Sequence, residues 1–139
     1  VAFSGDFTQI SNIRWYTSGN VKTNWALGTK GGLFVAVKST GDNGCPVASY
    51  AQATGVQGTS GYPIDDATNG HAYYKSGSSN HAVPVNADTY VSASTLLVDS
   101  GPYTTAASCK CVVTQVVIDT DATQGDKASE SLTFRYDEI

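Results

Sequence analysis

The residues best suited to chemistry in this sequence are three cysteines and two histidines. The cysteines are Cys45, Cys109 and Cys111, and the histidines are His71 and His81. Side chains two positions apart on a strand share a face, so either Cys109 or Cys111 can reach Cys45 in a disulfide. One such bridge closes a loop of about 65 residues, worth roughly 4 kcal/mol in the chain-entropy model. The leftover thiol is then free or joined to a neighbouring subunit.

A zinc site is an alternative use of the same residues, with the three cysteines and one histidine as ligands. Structural zinc sites usually space their cysteine pairs as C-x2–4-C, whereas this chain has C-x-C. We therefore expect one disulfide, solvated histidines and no metal. Metal ligation and three free thiols remain the alternatives, as does pH sensing by the histidines.

Carboxylates offer two further kinds of site. Asp119, Asp121 and Asp126 cluster around one turn and Asp42-Asn43 lies in another, and calcium takes several such oxygens. The 12-residue calcium-loop pattern is absent, and aspartate is also a common turn former. Asp65-Asp66 are adjacent, so on a strand their side chains point apart and form no acid–base pair. We expect no cofactor, with calcium as the alternative.

Motifs for covalent or phosphate chemistry are missing from the chain. Gly58-Thr59-Ser60-Gly61 does not have the G-x-S-x-G order of a nucleophile elbow. Gly28 to Gly32 lacks the spacing of a phosphate loop and is predicted to be a hairpin turn. Catalysis requires a nucleophile, a base and stabilising donors in one place. We therefore predict that the protein is not an enzyme.

Composition and charge exclude other classes. The net charge is −4 and the eight basic residues are scattered, so no basic stripe exists for nucleic acid. No run of 18 apolar residues exists to span a membrane. Charged residues make up 14% of the chain, against about 25% in typical domains. Low charge is common in secreted β proteins and suits surfaces that pack against copies of themselves.

The first residue is Val1, and the sequence contains no Met. We expect that a leading segment was removed and that the protein is extracellular or at the cell surface, where disulfides persist. Excision of a domain from a longer chain is the alternative.

Alternation of apolar and polar residues predicts strands along most of the chain, and helix signals are nearly absent. Predicted strands lie at 1–10, 12–17, 21–27, 33–38, 81–85, 89–98, 109–119 and 131–139. Half of the fourteen glycines fall between 39 and 81, which predicts long loops there. We predict a single domain over 1–139, an antiparallel all-β sandwich of eight or nine strands.

The aromatic residues have three interpretations. Trp15, Trp25 and the tyrosines of the predicted loops, Tyr50, Tyr62, Tyr73 and Tyr74, are suited to a core, to a subunit interface or to stacking on sugars. The sequence leaves all three open.

Two segments resemble parts of surface proteins. Val116-Val117-Ile118, then Ala122 to Asp126, then Leu132 to Tyr136 resemble the closing hairpin of immunoglobulin-like domains in prokaryotic surface and pilus proteins. This resemblance implies an immunoglobulin-like or jelly-roll-like sandwich. Residues 1–10 resemble the donor strands of archaeal and bacterial filament subunits, where the first strand of one subunit completes the sheet of the next.

The second resemblance implies a role for particular residues. Val1, Phe3 and Phe7 would fill pockets of the neighbour, and Gly5 would lie where the backbones approach closely. The alternative is that residues 1–10 form the first strand of their own sheet. We expect a homopolymer-forming structural subunit. A carbohydrate-binding or adhesive module with a glycan ligand, and a virion coat or decoration protein, are the alternatives.

Overall fold

The computed structural model describes residues 2–38 and 85–139, and these form antiparallel β-structure with very little helix. The strands are β1 (Ala2–Phe3), β2 (Ile10–Tyr16), β3 (Gly32–Lys38), β4 (Val85–Asn86), β5 (Leu96–Asp99), β6 (Ala107–Ser108), β7 (Cys111–Val117) and β8 (Thr133–Glu138). A single helical turn, α1 (Val21–Asn24), and a 3-10 turn (Ala87–Thr89) complete the elements. The prediction of an antiparallel all-β fold is confirmed.

The described strands form two three-stranded sheets and one short ribbon. The first sheet has the order β5-β2-β8, the second has the order β4-β3-β7, and β1 pairs with β6. In the first sheet Trp15 lies opposite Phe134, and in the second Val35 lies opposite Thr114. Strands β2 and β3 are thus the central strands of their sheets.

Alternate residues of β2 and β3 supply the core. Ile13, Trp15 and, just beyond the strand, Thr17 are buried, as the two-residue repeat of a strand predicts. On β3, Leu33 and Val35 are buried with the same two-residue spacing. Both sheets contribute to one cluster of buried residues: Ile10, Ile13, Trp15, Val21, Leu33, Val35, Ala87, Val98 and Cys109.

The predicted strand at 21–27 is wrong, because Val21–Asn24 is a helical turn. Its first two N–H groups have no acceptor within the helix. The carboxylate of Asp88 accepts both, from Val21 at 2.8 Å and from Lys22 at 3.1 Å. This cap comes from a residue 67 positions away, and one helical turn is too short to produce a helical repeat in the sequence.

The predicted strand at 1–10 is also too long. Strand β1 ends at Phe3, and the chain bends through Gly5 before β2 begins at Ile10. Gly5 has φ +118°, a backbone conformation that L side chains rarely adopt. The alternation of Val1, Phe3, Gly5 and Phe7 therefore does not mark one continuous strand.

Three other sequence predictions need correction. Within 89–98 only Leu96 onward is β5, because the 3-10 turn and a tight turn at Val91–Ser94 precede it. Gly28 to Gly32 joins α1 to β3 and is not a hairpin turn. Strands β7 and β8 lie in different sheets, so they do not form the expected closing hairpin.

Several predictions lie outside the described residues or go beyond them. The long loops at 39–81, with their tyrosines, belong to the part of the chain that is not described. The sandwich arrangement, the total strand number and the single domain remain predictions.

Truncation of a core leucine tests the assignment of the core. We expect Leu33→Ala to lower the free energy of unfolding by about 2–5 kcal/mol, because Leu33 is 2% exposed and the substitution leaves a cavity. Leu97→Ala is the matched control, since Leu97 is 45% exposed, and it should cost less than about 1 kcal/mol. Urea denaturation of both variants measures the difference, and equal losses would contradict the assigned core.

Candidate functional site

The N-terminal segment, residues 2–9, rests on its own chain through a short strand and an aromatic cluster. Ala2 pairs with Ser108 and Phe3 with Ala107. The ring of Phe3 lies 5.0 Å from that of Tyr103 and 5.9 Å from that of Phe7, both edge to face. Phe3 and Phe7 are half-buried against the core. Two residue pairs and two phenylalanines therefore hold this end of the segment.

The other end of the segment is held by the last described residue. The N–H groups of Thr8 and Gln9 donate to the carbonyl of Ile139 at 2.8 and 3.0 Å, and the N–H of Ile139 donates to Gln9 at 3.0 Å. Gly5 lies between the two anchored ends, and a Cβ built there meets no atom within 4 Å. The positive φ of this residue therefore explains why the position is a glycine, since no other described part of the chain approaches it closely. Val1 lies outside the described residues.

Tyr103, the base of the aromatic cluster, is fixed by a buried carboxylate. Its hydroxyl donates to Asp99 at 2.7 Å, and the same carboxylate accepts the N–H groups of Gly101 at 3.1 Å and Lys110 at 3.2 Å. Asp99 is buried, and a buried carboxylate needs such donors to offset its lost hydration. This network holds the loop that carries the partner strand of β1.

The pKa values of Asp99 and Tyr103 are shifted in opposite directions. Burial by itself raises the pKa of Asp99, but the hydrogen bonds from Tyr103, Gly101 and Lys110 and the Lys110 charge outweigh it, so the pKa lies below 3.8. Burial and the Asp99 carboxylate raise the pKa of Tyr103 from 10.0 to about 12. Both shifts favour the ionised aspartate beside the neutral tyrosine.

A second feature is an apolar groove, which we call the Trp25 groove, between the segment after α1 and the end of β7. Its volume is about 560 Å³, within the usual range for ligand pockets. Trp25 and Leu27 form one side, and Val116 and Ile118 form the other. Val116 is 42% exposed and Ile118 is 70% exposed. The groove therefore presents large apolar side chains to solvent.

The two walls of the Trp25 groove are joined by hydrogen bonds. The carbonyl of Leu27 accepts the N–H of Asp119 at 2.9 Å, and the indole N–H of Trp25 donates to Ala128 at 3.1 Å. Asp119 accepts the N–H of Lys30 at 2.7 Å, and Asp121 accepts the N–H of Thr29 at 2.8 Å. These bonds connect the segment after α1 to the residues that follow β7.

Two of the aspartates considered as calcium ligands, Asp119 and Asp121, thus have structural partners. The hydroxyl and N–H of Thr29 hold the pKa of Asp121 below its usual value, and Asp119 is used by Lys30 and Thr120. Within residues 2–38 and 85–139, no group of three or more His, Cys, Asp or Glu side chains is arranged to hold a metal ion. Asp42-Asn43 lies outside these ranges.

The two described cysteines, Cys109 and Cys111, differ in oxidation state. Cys109 is a free thiol buried in the core, and Cys111 is disulfide-bonded. A disulfide sulfur is not the thiolate that zinc requires. Cys45, His71, His81 and the Asp65-Asp66 pair lie outside the described residues.

The two tryptophans have different positions. Trp15 is fully buried and cannot stack on a ligand, whereas Trp25 is half-buried and lines the groove. Sequence reasoning missed the Trp25 groove and the Asp99–Tyr103 network. The only sequence signal for the groove is the run of apolar residues ending at Ile118, and such a run does not show which of its members remain exposed.

Comparisons with known proteins add no relative. No family model matches the chain, and searches of curated proteins and of solved structures returned no match. No helix in the described part of the chain is long and apolar enough to cross a membrane.

Removal of the Tyr103 hydroxyl tests the anchor of the N-terminal segment. Tyr103→Phe should lower the free energy of unfolding at pH 7 by about 1–3 kcal/mol, because Asp99 loses a donor. Tyr136→Phe, at a tyrosine that is 50% exposed, is the control and should change stability by less than about 0.5 kcal/mol.

The effect of Tyr103→Phe should depend on pH at both ends of the range. The folded pKa of Asp99 is lowered, so its contribution is present above pH 3.8 and disappears as the pH falls further. The folded pKa of Tyr103 is raised, so its contribution is full below pH 10 and is lost between pH 10 and about 12. A stability difference between wild type and variant that stays constant across both windows would contradict the network.

Proposed function

We propose that this chain is a non-enzymatic structural subunit of an extracellular filament or surface assembly, and that copies join by β-strand addition. The observation that carries this proposal is that one chain has both an N-terminal segment with no backbone hydrogen bonds from Ser4 to Phe7 among the described residues and, elsewhere, an exposed apolar groove. The first is suited to leave its own subunit, and the second is suited to receive apolar side chains.

The N-terminal segment is the proposed donor. Its contacts in cis are two strand pairs, the Phe3–Phe7–Tyr103 cluster and the backbone hydrogen bonds of Thr8 and Gln9 with Ile139. Within the described residues, no backbone hydrogen bond joins Ser4 to Phe7 to the rest of the chain. Gly5 supplies a bend at which the strand can swing away. Release of this segment loses its contacts in cis, so the contacts that it forms with the Trp25 groove of the next copy have to replace them.

The Trp25 groove is the proposed acceptor. Phe3 and Phe7 are the large apolar side chains of the donor, and Trp25, Val116 and Ile118 are the apolar surface that would cover them. An exposed apolar patch of this kind is typical of an interaction site. In strand addition, main-chain hydrogen bonds provide affinity and alternate side chains in pockets provide specificity.

The proposal extends to the arrangement of the two sheets and to the location of the protein. We propose that the two three-stranded sheets face each other as a sandwich, since both supply the core cluster. The disulfide at Cys111 favours an oxidising, extracellular location. The burial of Trp15 removes one of the two tryptophans from the alternative glycan-binding role.

Electron microscopy and size-exclusion chromatography of the native protein test the proposed function. We expect filaments or other large particles from wild type. A monomer of 14.5 kDa at every concentration would overturn the proposed role.

Two defective variants test the mechanism. Deletion of residues 1–8 removes the donor, and Ile118→Lys places a charge in the acceptor, so each alone should remain folded and fail to form filaments. The truncated variant keeps its acceptor and the Ile118→Lys variant keeps its donor. Mixing them should therefore give heterodimers that do not extend.

Val85→Lys is the control for the added charge of Ile118→Lys. Val85 lies in β4, is 39% exposed and is distant in sequence from the donor segment and from the Trp25 groove. This variant should assemble like wild type. Filaments formed by the truncated protein would show that strand addition by residues 1–8 is wrong, even if the protein is an assembly subunit.

A further inference from the structure

Strand β8 has an open edge. It pairs with β2 on one side, and within the described part of the chain no element pairs with its other side. Open edges of this length template pairing with another strand, and proteins usually protect them. Phe134 is 41% exposed although it lies opposite the buried Trp15. The apolar face of β8 is therefore incompletely covered.

The opposite face of β8 carries an unusual arrangement of charge. The chain has only two arginines, Arg14 and Arg135, and they lie directly opposite each other on β2 and β8. Like charges directly opposite on neighbouring strands are destabilising. Arg14 donates to Thr95 at 3.4 Å, and neither arginine forms an ion pair among the described residues.

The next residue on the same face of β8 is Asp137, two positions after Arg135. One of its oxygens accepts the side-chain N–H of Asn12 at 2.7 Å, and the other oxygen has no described partner. An arginine and an aspartate two positions apart on an open strand have a specific consequence. The strand is complementary in charge to an antiparallel copy of itself.

We propose that β8 pairs edge to edge with β8 of a second copy, antiparallel and centred on Tyr136, around a two-fold axis normal to the sheet. In this register Arg135 lies opposite Asp137 of the second copy, and Asp137 lies opposite its Arg135. Phe134 then lies opposite Glu138, Tyr136 opposite itself, and Thr133 opposite Ile139. A two-fold contact of this kind uses the same patch on both subunits.

The charges select this register over its neighbours. A shift of two residues in one direction places Arg135 opposite Arg135, and a shift in the other places Asp137 opposite Asp137. Both are repulsive. If the charges only protected the edge against pairing, a single sign would serve better than this alternation. The pairing joins two three-stranded sheets into one of six strands and supplies a carboxylate beside the Arg14–Arg135 pair.

This interface is distinct from the proposed strand addition. The donor segment and the Trp25 groove join copies head to tail, whereas β8 pairing joins two copies symmetrically. The test is therefore run in wild type and also in the Ile118→Lys background, where head-to-tail growth is expected to stop. Its result does not depend on whether strand addition is correct.

Analytical ultracentrifugation of charge variants tests the proposal. Wild type should dimerise, and Arg135→Asp and Asp137→Arg should each weaken dimerisation by at least about tenfold, because both cross-strand pairs become repulsive. The double variant should dimerise like wild type, since it exchanges the two charges and makes both cross-strand pairs attractive again. Lys30→Asp makes the same charge change on an exposed residue outside β8 and should behave like wild type.

Mixing the two single variants separates charge repulsion from misfolding, because a misfolded variant would not regain association with its partner. In a mixed pair, Arg135→Asp presents two acidic residues and Asp137→Arg presents two arginines, so both contacts become attractive. Heterodimers should form about tenfold more tightly than either homodimer. The proposal is overturned if wild type is monomeric, if the single variants dimerise like wild type, or if neither the mixture nor the double variant recovers association.

Discussion

The packing of alternate residues from β2 and β3 into one core is the interaction on which the rest of the structure depends. Trp15 and Ile13 from one sheet and Leu33 and Val35 from the other form the centre of the buried cluster. Burial of such side chains is the main favourable term in folding. Because the central strands supply so much of the core, the neighbouring strands are left with apolar side chains that are only partly covered.

That division between central and outer strands explains where the candidate surfaces lie. Val116 and Ile118 extend past the covered part of β7, and Phe134 and Tyr136 lie along β8. Polar networks at Asp99, Asp119 and Asp121 fix the loops around these strands. Hydrogen-bonded loops therefore border the exposed apolar side chains that the proposed contacts between copies would cover.

The sequence predicted the strands whose side chains alternate over several residues, such as β2, β3 and the start of β7. It failed where distant residues decide local structure. The helical turn at Val21 depends on the Asp88 carboxylate, and the N-terminal strand is ended by the conformation of Gly5. The proposed donor residues Phe3 and Phe7 were identified from alternation. The Trp25 groove was not, because an apolar run does not show which of its members remain uncovered.

The order of strands in the first sheet has a consequence for how the chain acquires its structure. Asn12 of β2 and Asp137 of β8 contact each other across 125 positions, and contacts of such large sequence separation slow folding because a long loop must close first. The first sheet cannot be completed until β8 has been synthesised. Up to that moment one edge of β2 lacks its partner strand, whereas the described strands of the second sheet are all present once Val117 has been synthesised.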